Sequence, residues 1–114
     1  MQDKVFALFG LAAKAGKMAC GSFAVEKTVK AGKACCVIVT TDASDNTKKD
    51  FNDMCAWYKV PIAFHGSRRE LGHALGKGER VVAAITDSGL AQAVNKQLAA
   101  KIPDGGNDYG KRAE

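Results

Sequence analysis

The chain is short of the residues that usually announce chemistry. It has two histidines, at 65 and 73, and four cysteines, at 20, 35, 36 and 55, with no Cys-x-x-Cys pair among them. A structural zinc site draws its four ligands from local pairs of such residues, so this spacing predicts no metal. No apolar run approaches the roughly 18 residues of a membrane-spanning helix, and the opening Met-Gln-Asp-Lys-Val lacks the charged, apolar, small-residue order of a secretion signal. The expectation is a cytoplasmic protein without membrane contact, its cysteines reduced and free of disulfides. Gly76-Lys77-Gly78 lacks the remaining glycines and the Lys-Ser/Thr ending of a phosphate-binding loop, and no dinucleotide fingerprint follows a strand. Asp42, Asp45, Asp50 and Asp53 are spread around a helix start instead of being arranged as a calcium loop, which leaves them capping and solvation. Neither His65 nor His73 has a serine or cysteine that the sequence places beside it, so no catalytic residue and no cofactor are expected.

What remains is ordinary globular material with a basic bias. The 114 residues are 46% hydrophobic and 25% charged, enough for one core. One domain over 1–102 is expected, as a monomer. After Pro103 the sequence Asp-Gly-Gly-Asn-Asp-Tyr-Gly-Lys-Arg-Ala-Glu has no period and little to bury, which predicts a flexible tail over 103–114. A formal charge of +5 and a pI near 9.1 favour an anionic partner.

Hydrophobic periodicity sets the element order. Residues 3–15 read as a helix, with Val5, Leu8, Phe9 and Ala12 at helical spacing and Gly16 as the stop. Residues 18–20 suit a short extended piece, and residues 22–32 a second helix. Residues 34–41, Ala-Cys-Cys-Val-Ile-Val-Thr-Thr, form a continuous β-prone run of the kind found in a central strand covered on both faces. A helix to about Tyr58 follows, with Phe51, Met54, Cys55 and Tyr58 on one face. A strand then begins at Val60-Pro61, which makes a βαβ unit with Pro61 at a strand start or sheet edge. A short helix capped by Ser67 and ended by Gly76, a strand over 81–86, and a helix capped by Asp87 or Ser88 complete the order. The prediction is an α/β fold, a three-layer α/β/α sandwich around a small mixed sheet.

The densest functional signal lies between residues 14 and 33. This stretch holds five lysines, 14, 17, 27, 30 and 33, with one glutamate, around a Gly21-Ser22 helix start. With Ser22 as N-cap, Val25, Thr28, Val29 and Gly32 form the inward face, and Phe23, Lys27 and Lys30 the outward one. An open helix start collects phosphate, and an exposed aromatic among lysines suits an unpaired base. Lys77 and Arg80 supply a second basic loop, and Lys48 and Lys49 are candidates to extend the edge. The predicted RNA-binding set is Lys14, Lys17, Gly21, Ser22, Phe23, Lys27, Lys30, Lys77 and Arg80.

Several strings in fixed order carry a family resemblance. They are Leu-Ala-Ala-Lys-Ala-Gly-Lys at 11–17, Gly21-Ser22, Thr-Asp-Ala-Ser-Asp-Asn-Thr-Lys-Lys at 41–49, Val60-Pro61, Glu70-Leu71-Gly72, Leu75-Gly76-Lys77, and Arg-Val-Val-Ala-Ala-Ile-Thr-Asp at 80–87. Over residues 3–100 the chain resembles the ribosomal L7Ae/L30e kink-turn RNA-binding family, and within it the bacterial, YlxQ-like branch. The resemblance implies an α/β/α sandwich that binds sharply kinked RNA through a Gly-Thr-Asn-Glu-x-x-Lys motif at the second helix. It also implies a variable loop before the last strand that covers bulged bases. On this chain the motif's glycine, threonine and lysine fall on Gly21, Ser22 and Lys27. Its asparagine and glutamate fall on Phe23 and Ala24, which removes both side chains that would hydrogen-bond the purines of the kink. The expected function is a non-catalytic binder of structured RNA, ribosomal RNA and the ribosome included. The alternative is a protein-interaction module of the same fold without specific RNA recognition.

Overall fold

Strand β2 (Cys36–Val39) is buried at all four positions. An apolar run without alternation is stable only where both sheet faces are covered, and successive side chains divide between them. Cys36 and Ile38 enter one core cluster, whereas Val37 and Val39 enter the other. The computed structural model describes residues 4–103. The expected tail therefore lies outside the described residues from position 104 onward.

The chain order is α1 (Lys4–Lys14), β1 (Met18–Cys20), α2 (Ser22–Lys30), β2, α3 (Asp45–Tyr58), β3 (Ile62–Phe64), α4 (Arg68–Ala74), β4 (Val82–Ile85) and α5 (Ser88–Leu98). The four strands form one mixed sheet in the order β1-β4-β2-β3, with β2 and β3 parallel and the other pairs antiparallel. Val25 and Val29 of α2 and Phe51, Met54 and Cys55 of α3 pack on one face. Val5 and Phe9 of α1, Leu71 of α4, and Ala91 and Val94 of α5 pack on the other. This is the three-layer arrangement that the patterning predicts. The core thiols behave as small apolar groups: burial pushes Cys36 up to about 11 and Cys55 up to about 12, from an ordinary value of 9.0.

Local signals explain where most elements begin and end. Helices α1, α2 and α4 each close with the paired hydrogen bonds of a Schellman turn around Gly16, Gly32 and Gly76. Gly32 is thus an exposed residue beyond α2 and not, as the spacing suggests, part of its inward face. The short piece at 18–20 is a full member of the sheet, on the edge beside β4. Pro61 stands immediately before β3, at the other edge, where Ile62 bridges to Lys101.

The register brings specific loops together. Cys20 pairs with Ala83, Val39 with both Val82 and Phe64. The ends of β1, β2 and β3 and the start of β4 therefore share one sheet edge, where α2, α3 and α4 begin. Lys17 lies at the opposite edge, its carbonyl accepting from the Thr86 N–H at 2.9 Å.

Candidate nucleic-acid interface

The start of α2 differs from the expectation in one residue. Gly21, not Ser22, is the N-cap, and no side chain caps this helix. The reason is the sheet: the Gly21 N–H still donates to Val82 of β4 at 3.0 Å, while its carbonyl already accepts from Val25 at 3.0 Å. The chain passes from strand to helix at a single residue. That transition needs φ 93 and ψ 159 at Gly21, a backbone region essentially reserved for glycine. Ser22 is thereby an exposed first-turn residue. The N–H groups of the first turn have no intrahelical acceptor and receive no side-chain oxygen.

The remaining helix starts at this edge are closed. Ser44 accepts from the Thr47 N–H at 3.1 Å, and Ser67 and Glu70 form a reciprocal capping box with bonds of 3.1 and 2.9 Å.

Around the open start, Phe23 is 80% exposed, with the Lys27 Nζ 6.0 Å from its ring centroid. Burial of Val25 and Val29 on the other side of α2 turns this pair outward. Arg80 arrives from the loop before β4. Its Cδ and Nε lie 3.9 Å from where a side chain on Gly21 would begin. Its guanidinium donates to the Gly78 and Glu79 carbonyls at 3.2 and 2.9 Å, which fixes it beside the helix. Burial raises the Cys20 thiol, and the charges of Lys77 and Arg80 act against that rise, so both cations lie within electrostatic reach of Cys20. Lys14 and Lys77 line one groove of about 420 Å³ whose floor includes Met18 and Cys20.

Two predicted residues are not part of this grouping. Lys17 stands at the far end of β1, roughly 13 Å from Gly21 at strand rise. Lys30 ends α2, about 12 Å along the axis from Ser22. It is ion-paired with Glu26 at 2.8 Å, where a cation complements the negative helix end. Lys49 is likewise paired, with Asp53 at 2.7 Å. His65 packs its ring on Phe6 at 5.1 Å, a structural contact, whereas His73 is exposed and lines the groove.

Asp42 has the capping role expected of it, but at α4 and not at the helix that follows β2. Asp42, after β2, holds the start of α4: it accepts from the Arg68 N–H at 2.9 Å, and its own carbonyl accepts from the Arg68 guanidinium at 2.9 Å. Desolvation works against the Asp42 charge, but the hydrogen bond from the Arg68 N–H and the Arg68 charge act the other way, and the carboxyl is held below its usual range. The available signal was the βαβ unit itself, since parallel neighbours place their C-terminal ends side by side. Among the described residues no three His, Cys, Asp or Glu side chains converge as a metal site, and no helix is long and apolar enough to cross a membrane.

The sequence model of the family described as "Ribosomal protein L7Ae/L30e/S12e/Gadd45 family" matches residues 3–95. The chain is 45% identical over 86 residues to a Bacillus subtilis (strain 168) protein named RNA-binding protein YlxQ, covering 75% of this chain and 86% of the relative. It is 37% identical over 91 residues to an Enterococcus faecium protein of the same name, covering 80% and 87%. Among solved structures, a Bacillus halodurans protein of unknown function superposes with a TM-score of 0.81 at 38% identity, covering 83% of this chain and 96% of the other. A Giardia lamblia 15.5kD RNA binding protein shares the fold with a TM-score of 0.73 at 24% identity, covering 87% and 91%.

Proposed function

Because the chain belongs to the ribosomal protein L7Ae/L30e/S12e/Gadd45 family, we propose that it is a non-catalytic RNA-binding protein whose interface is built on the open start of α2. The observation that carries this reading is the helix start itself. Its first-turn N–H groups have no side-chain cap, and Phe23 with Lys27 stands on one side of it and Arg80 on the other. A helix N-terminus of this kind attracts phosphate, and an exposed ring beside it offers a stacking surface for a base. The names of the two bacterial relatives support RNA as the partner.

In this reading Lys14, Gly21, Ser22, Phe23, Lys27, Lys77 and Arg80 form the interface, and Lys17 and Lys30 lie outside it. The RNA is kink-turn-like and ribosomal, bound in the cytoplasm by a monomer whose residues 1–102 act as one domain. Gly21, Ser22 and Lys27 keep the phosphate and groove contacts. Phe23 and Ala24 replace hydrogen-bonding groups by a stacking ring and a methyl. Each lost bidentate base contact removes about 1–3 kcal/mol of discrimination, so shape and charge dominate recognition.

The test is a gel-shift titration at about 0.15 M salt with a kink-turn RNA and the same RNA with its G·A pairs replaced. The expected result is binding to both with a preference for the intact kink. Equal binding would leave an RNA binder that reads charge alone. Absence of binding to either would overturn the reading and leave the exposed Phe23 as a surface for a protein partner.

A further inference from the structure

The groove beside β1 shares Lys14 and Lys77 with the proposed interface but lies outside the Gly21–Lys27 motif, and its composition is selective. Two of its walls are the C-terminal halves of α1 and α4, neither of which takes part in the α2 helix start. Ala13, Met18 and Cys20 give it an apolar lining, while Lys14, His73 and Lys77 are exposed around it. None of its lining residues is a carboxylate. At about 420 Å³ it falls within the range of roughly 300–1,000 Å³ typical of clefts for small organic ligands.

The strand beneath adds hydrogen-bonding groups. Bonds at Gly21–Val82 and Lys17–Thr86 set the phase of the β1–β4 ladder. In an antiparallel pair the groups alternate between facing the partner and facing away. The N–H and C=O of Met18 and Cys20 therefore turn from β4 toward the open edge of the sheet. An apolar floor, backbone donors and acceptors, and flanking cations match a single nucleotide, whose base is flat, apolar on its faces and polar at its edges, and whose phosphate is anionic.

We propose that this groove is a second RNA subsite that seats one unpaired nucleotide, its base against Met18 and Ala13 and its phosphate between Lys14 and Lys77. The proposal rests on the RNA-binding reading above and deepens it. Strand β1 joins the two sites directly, since Cys20 in the groove precedes Gly21 at the helix start. A nucleotide held here extends the RNA footprint from the start of α2 along the α1 side of the molecule.

The test is a coupling experiment on the kink-turn RNA. Abasic substitutions and neutral methylphosphonate linkages are scanned through its unpaired positions. Affinities are measured for the wild-type protein, for Ala13→Trp, which fills the groove, and for Lys14→Gln, whose exposed side chain leaves the fold intact. At one position, removing the base is expected to weaken the wild type about tenfold but to leave Ala13→Trp unchanged. Neutralising the adjacent phosphate is expected to weaken the wild type but not Lys14→Gln. Additive losses at every position in both variants would overturn the groove while leaving RNA binding in place. If Ala13→Trp does not fold, the Lys14→Gln arm decides alone. A wild type that binds none of these RNAs would overturn both readings.

Discussion

Helices α2 and α4 begin at the same sheet edge and solve their first turns in opposite ways. At α4, Ser67 and Glu70 satisfy each other's backbone donors, and Asp42 takes the next N–H, from Arg68. Every contact is internal, so that start is closed to a ligand and serves stability. At α2 the cap is a glycine without a side-chain acceptor, and the flanking groups are a bare ring and cations. The two starts thus differ in whether polar side chains take up the first-turn N–H groups, as at α4, or leave them uncapped, as at α2.

This contrast can be broken from either side. The largest effect is expected for Gly21→Ala, because φ 93 and ψ 159 exclude a side chain; the cost is about 1–3 kcal/mol. It is checked by urea unfolding, with RNA affinity falling in parallel. Phe23→Ala is expected to leave stability unchanged and to cost about 1–3 kcal/mol of RNA binding per stacked base, with the salt slope unaltered. An unchanged affinity would remove stacking from the interface. Ser67→Ala is expected to lower stability by about 1 kcal/mol without changing RNA affinity. Ser22→Ala should cost less than about 0.5 kcal/mol of stability, since Ser22 caps nothing. The smallest effect distinguishes two lysines of one helix. Lys27→Ala should lower the slope of log affinity against log salt by roughly 0.7–0.9, whereas Lys30→Ala, removing a side chain already paired with Glu26, should leave it in place. Equal slopes for the two would show that the basic face acts as a whole and not through its open end.

Much of the fold was legible because its signals are local. The unbroken run at 36–39 requires a strand covered on both faces, and the alternation of strand and helix around it implies the βαβ unit. Ser67 and Gly76 mark the ends of α4 by hydrogen bonds that reach only a few residues along the chain. The outward placement of Phe23 and Lys27 follows from the spacing of Val25 and Val29. The cap lies at Gly21 and not at Ser22 for a non-local reason: a hydrogen bond to Val82, 61 residues further along the chain, holds Gly21 in the sheet.

The layers, most helix ends and the outward face of α2 follow from the sequence alone, because periodicity and capping act within one or two turns of chain. Only the tertiary structure decided which cations share a surface. The pairing of a three-residue strand with β4 sends Lys17 to one sheet edge and Gly21 to the other. The loop before β4 brings Arg80 against Gly21, and the parallel pairing of β2 and β3 joins Asp42 to Arg68. Those contacts connect residues far apart in the chain, and their geometry exists only once the sheet has formed.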